Sequence, residues 1–65
     1  MEDNGNNHKW FHVRLIDSRQ AIVLASNPNH AQEKARQRGY PHSPTTSVYQ
    51  VKYRFAKLTA DLILA

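Results

Sequence analysis

The sequence contains no cysteine, only two glycines (Gly5 and Gly39) and a single tryptophan, Trp10. Without cysteine no disulfide can brace the fold. A chain of 65 residues must then rely on its core, although a domain this small buries only about 60% of the surface its unfolded form exposes. The lack of cysteine also fits a reducing compartment. With so few glycines there is no glycine-rich phosphate loop or dinucleotide fingerprint, and no nucleophile motif appears. No apolar run approaches the ~20 residues that cross a bilayer. The opening Met1-Glu2-Asp3-Asn4-Gly5-Asn6-Asn7 is acidic and polar rather than signal-like. These absences lead to the expectation of a soluble, cytoplasmic (intracellular) protein.

Acids are also scarce. All nine Lys and Arg residues fall between His8 and Lys57, a stretch that holds only two acids, Asp17 and Glu33, so nine cations less two acids leave it at +7. The sequence pI is about 9.9. A body this basic favours anionic partners such as nucleic acid or an acidic protein surface, although charge also serves solubility.

Residues 1–7 lack periodicity and read as a disordered tail, leaving 8–65 as one small domain. From Lys9 to Ile16 the residues alternate, with Phe11, Val13 and Leu15 on one side of a strand and Trp10, His12, Arg14 and Ile16 on the other. After the polar Asp17-Ser18-Arg19-Gln20, the run Ala21–Ala25 reads as the second arm of a hairpin, without the Asn-Gly or Asp-Gly turn that would mark it strongly. Asn27 suits an N-cap, Pro28 the first helical position and Gly39 the left-handed position that ends a helix, so a helix is predicted over 28–38. Its apolar face is only Ala31 and Ala35. Residues 40–46, with two prolines, form a loop that could serve as a contact or a phosphorylation site. Ser47 to Phe55 alternates best of all. Tyr49, Val51, Tyr53 and Phe55 are expected to face the core, with Gln50, Lys52 and Arg54 opposite. Residues 58–65 can be read as a short helix capped by Thr59, a fourth strand or an apolar tail.

The expected fold is therefore α+β: a ββαβ domain with a three-stranded antiparallel sheet of order 2-1-3 and one helix on one face. The other face would carry Trp10, His12 and Arg14 beside Lys52 and Arg54, an aromatic ring among cations. Such a surface suits RNA or DNA, with bases stacking on the ring and cations on phosphates. It is similar in outline to the sheet platform of RNA-recognition domains, without their aromatic-glycine signature. Lys34, Arg36 and Arg38 would form an auxiliary basic helix face. Two other readings of the Trp10 face remain open. Leu62-Ile63-Leu64 could cover it as extra core, or it could be an interface with an acidic protein partner or a second copy. The runner-up function is accordingly a small protein-binding accessory factor, an inhibitor or adaptor of the phage or mobile-element type.

Catalysis, cofactor, metal and membrane roles are not expected. The two acids of the basic stretch are isolated, and on a strand His8 and His12 would stand roughly 13 Å apart. The remaining histidines, His30 and His42, stand apart in sequence, with no cysteine to complete a site. So thin a helix face argues against a small-molecule pocket of ~300 Å³ or more, and two alanines are too little apolar surface for a helix to insert into a bilayer.

Overall fold

The computed structural model describes residues 8–65. The expectation of a disordered tail over 1–7 lies outside the described residues. The elements are β1 (Lys9–Arg14), β2 (Gln20–Ala25), α1 (Pro28–Gln37), β3 (Tyr49–Val51), α2 (Tyr53–Ala56) and β4 (Leu62–Leu64). They build one mixed sheet of order β3-β1-β2-β4, in which β1 is antiparallel to β2 and β3, and β4 is parallel to β2. The α+β class and the β3-β1-β2 order agree with the sequence reading. The three-stranded, all-antiparallel sheet with one helix does not: there is a fourth, parallel strand and a second, short helix.

The hairpin closes without an Asn-Gly or Asp-Gly pair. Ser18 N–H donates to Leu15 O at 2.9 Å and Leu15 N–H to Arg19 O at 2.8 Å. Ser18 takes the left-handed conformation at φ 77°, which closes the turn on a bulge of the kind glycine usually serves. Asp17 braces this corner, its carboxylate accepting from the Arg19 backbone N–H at 3.1 Å and from Arg19 Nε at 2.7 Å.

Helix α1 forms where its punctuation places it. Asn27 Oδ1 accepts the His30 N–H at 2.8 Å, and Pro28 fills the first turn. At the other end Gly39, at φ 89°, lets its own N–H reach Arg36 O and the Tyr40 N–H reach Ala35 O. That pair of bonds is the Schellman arrangement, and it turns Tyr40 against the core.

The main core lies between α1 and the sheet. Ala31 and Ala35 pack with Phe11, Val13 and Leu15 of the first strand and its end, with Ala21, Val23 and Ala25 of β2, and with Leu64 of β4. Small helix residues let α1 lie close, so the larger side chains come from the sheet. Leu62 and Leu64 pair with Ala21 and Val23 and so join this same layer. The C-terminal segment thus supplies core, but on the α1 side rather than over Trp10.

The chain crosses the sheet twice. From β2 it passes through α1 to β3 at one edge, and from β3 it passes through α2 to β4 at the other edge. The two crossovers join parallel strands and travel in opposite directions, so a common right-handed sense requires them to use opposite faces. Ile22 records the consequence. It belongs to the face opposite α1 and yet is 0% exposed, outside the α1 cluster. The sheet is covered on both sides, where the sequence reading left one side open.

Candidate functional site

Pairing across strands defines the face opposite α1. Trp10 stands beside Leu24 and Val51, His12 beside Ile22 and Tyr49, and Arg14 beside Gln20. Trp10, His12 and Arg14 therefore share a row, as the alternation of β1 requires, and all three are half-buried. The expected register of the third strand is off by one. Gln50 lies opposite Phe11, on the α1 side, while Tyr49 and Val51 join the Trp10 face. The strand also ends at Val51, and Lys52 becomes the residue preceding a helical turn whose Phe55 and Ala56 N–H groups donate to Lys52 O. Lys52 and Arg54 are thus not on β3 beside Arg14. They are exposed on the α2 segment that crosses this face.

Aromatic contacts join the segment to the sheet. Tyr53 lies 4.7 Å from Trp10 between ring centroids, tilted 36°, and Tyr49 stacks on His12 at 5.0 Å and 22°. His12 Nε2 is 3.0 Å from Gln20 Oε1. Among the described residues, the buried Nδ1 of His12 and Nε of Arg14 have no hydrogen-bond partner. Outward from these contacts, Phe55 is 60% and Tyr49 52% exposed.

Cations interleave with the rings. The Arg54 guanidinium lies 5.0 Å from the Phe55 centroid, and Lys57 Nζ lies 5.4 Å from that of Tyr53. The acids of the described residues are engaged elsewhere. Asp17 pairs with Arg19, Glu33 with Arg36, and Asp61 accepts the Gln20 N–H. Lys52, Arg54 and Lys57 therefore keep their charge uncompensated by an acid among the described residues.

Beneath this segment is a cleft of about 380 Å³, lined by His12, Gln20, Tyr49, Val51, Lys52, Phe55, Ala56 and Thr59. The sequence reading argued against a pocket of this size from the thin face of the one expected helix; the second crossover supplies the wall it did not foresee. The cleft is open to solvent, and no carboxylate lines it.

The three cations Lys34 and Arg36 of α1 and Arg38 at its C-cap are each occupied. Lys34 Nζ donates to Leu24 O at 2.8 Å, and burial, followed by repulsion from Arg38, lowers its pKa below the usual lysine value. Arg36 pairs with Glu33, which raises the guanidinium pKa and lowers that of the carboxyl. Arg38 Nη2 donates to Ala65 O at 3.0 Å. His30 is bound to Ser26, and His42 bridges to Leu15.

Tyr49, Tyr53, Phe55, Lys57, Gln20 and Thr59 are the residues of this surface that the sequence reading missed. One signal was available: residues 49–57 interleave three aromatics with three cations. Assigning the rings to the core hid it. No helix among the described residues is long and apolar enough to cross a membrane. In comparisons with known proteins, no family model matches the chain, and neither does any curated protein or solved structure.

Proposed function

We propose that the chain is a non-catalytic nucleic-acid-binding module that works inside the cell through the α2 face. The observation that carries this reading is the segment 49–57, where exposed Tyr49, Tyr53 and Phe55 alternate with Lys52, Arg54 and Lys57 and no described acid pairs with those cations. Exposed rings offer stacking to bases, and unpaired cations neutralise phosphates. Trp10 and His12 act beneath this surface by holding Tyr53 and Tyr49 in place, and Arg14 adds charge at its border.

The test is a titration of the chain with short single- and double-stranded oligonucleotides at several salt concentrations, followed by Trp10 emission. Binding should weaken steeply with salt. Lys52→Ala, Arg54→Ala and Lys57→Ala should each flatten the log–log slope by about 0.7–0.9 per lost phosphate contact. No binding at low salt overturns the reading.

A second reading, a protein-binding accessory factor or a homodimer, is favoured by the outer edge of β4. That edge has no strand partner among the described residues, and Ile63 and Leu58 stand exposed. Strand addition there would appear as a concentration-dependent mass.

A further inference from the structure

We propose that the cleft beneath α2 holds one unpaired nucleobase, so that the module engages single strands by taking a base out of the strand rather than by laying the strand flat on its surface. This rests on the nucleic-acid reading and deepens it.

The cleft has the chemistry of a site for a flat heteroaromatic ring. Its volume, about 380 Å³, lies near the lower end of the ~300–1,000 Å³ range of ligand pockets. Two aromatic residues line it, Tyr49 from β3 and Phe55 from α2, and both are more than half exposed, which leaves ring surface for stacking beside the His12 and Arg54 contacts. Val51 and Ala56 supply apolar contact. Polar groups are few and come from three different segments. Gln20 Oε1 faces His12 Nε2, so an Nε2–H donated there leaves the Gln20 amide N–H groups as donors. Thr59, whose hydroxyl donates to Ala56 O at 3.4 Å and keeps its oxygen as an acceptor, belongs to the same lining, and a base edge needs such a mixture of donors and acceptors. Lys52 also lines the cleft, and its positive charge suits a 5′-phosphate on that base. Duplex DNA keeps its bases stacked and paired, so it cannot offer this ligand without paying the unstacking cost.

The same chemistry occurs in a free nucleoside 5′-monophosphate, and the experiment separates the two sources. The full chain is titrated with an oligothymidylate of roughly ten nucleotides, an abasic strand of the same length, a matched duplex and thymidine 5′-monophosphate. The variant is Ala56→Leu, which fills the cleft and leaves every cation in place. The wild type should bind the oligothymidylate about tenfold or more tightly than the abasic strand, as expected for one stacked base. Ala56→Leu should abolish that difference while binding the abasic strand and duplex as the wild type does. Thr59→Val, nearly isosteric, should reduce the difference severalfold and serves if the leucine variant melts early. If folded Ala56→Leu and Thr59→Val both retain the wild-type preference for the oligothymidylate, the cleft proposal falls and the surface reading stands. If the wild type binds no strand at low salt, both fall. Monophosphate binding as tight as that of the oligonucleotide overturns the strand component and leaves a nucleotide site.

Discussion

Asp61 and Gln20 exchange two hydrogen bonds across 41 residues of sequence: the Asp61 carboxylate accepts the Gln20 N–H at 2.8 Å, and the Asp61 N–H donates to Gln20 O at 2.7 Å. This reciprocal pair fastens the end of the α2 crossover to the start of β2, next to the side chain that lines the cleft. Asp61→Ala removes the charged acceptor and leaves the backbone bond. It should cost about 1 kcal/mol, toward the low end for a charge-assisted bond because the site is exposed. Asp61→Asn should recover part of this loss. Urea denaturation of the three proteins measures it, and equal midpoints would show that the carboxylate contributes nothing.

Ile22 tests whether the face opposite α1 is a true second core layer. Its side chain is fully buried there. Ile22→Val should cost about 0.5–1.5 kcal/mol, whereas Ile22→Ala should cost about 2–5 kcal/mol, enough to leave so small a chain largely unfolded. A Val variant with wild-type stability would mean that α2 does not cover this position in solution.

Ser18 offers the opposite sign. Its left-handed backbone at φ 77° costs an L-residue roughly 1–2 kcal/mol, part of which glycine returns through greater freedom when unfolded. Ser18→Gly should therefore stabilise by about 0.5–1 kcal/mol, and Ser18→Val should destabilise. Thermal melts of both variants check the pair.

Asp17 and Glu33 set the acid limb of the stability profile. The Arg19 backbone N–H, with the Arg19 side chain, lowers the pKa of Asp17 below its ordinary 3.8. The Arg36 side chain, then Gln37, lowers that of Glu33 below 4.5. A depressed carboxylate contributes stability that is fully present above the unfolded pKa and is lost as pH falls through the folded one. Stability should thus decline below about pH 4.5, and Asp17→Asn with Glu33→Gln should flatten that decline while changing little at neutral pH. Both sites are exposed, so the effect should be modest and should shrink in high salt.

The parts of the fold that were readable from sequence are those governed by local rules. The alternation of 9–15, the Asn27-Pro28 start and the Gly39 stop of α1 each have one dominant physical cause, and each appears where expected. The segment 49–55 failed for a different reason. Period two and the helical repeat coincide at Tyr49 and Tyr53, four residues apart, so the apolar pattern is satisfied by a strand that continues and equally by one that turns into a helix after Val51. Assuming a single core then placed those rings on the α1 side. The short helix places them on the other side, where Trp10 and Ile22 needed cover. Within the candidate site, Trp10, His12 and Arg14 were legible because one strand aligns them. The cleft was not, since its walls come from a crossover whose direction depends on where β4 pairs.

The placement of β4 also bears on how the chain reaches this structure. The β1–β2 hairpin and α1 form from contacts close in sequence, whereas β3 and β4 each dock onto that unit from roughly forty residues away and carry the larger share of the loop-closure entropy. If the hairpin and helix form the folding nucleus, as their short sequence separations favour, β4 joins after the barrier. Weakening Leu64, the buried anchor of that last strand, would then leave the folding rate nearly unchanged and shorten the lifetime of the folded state.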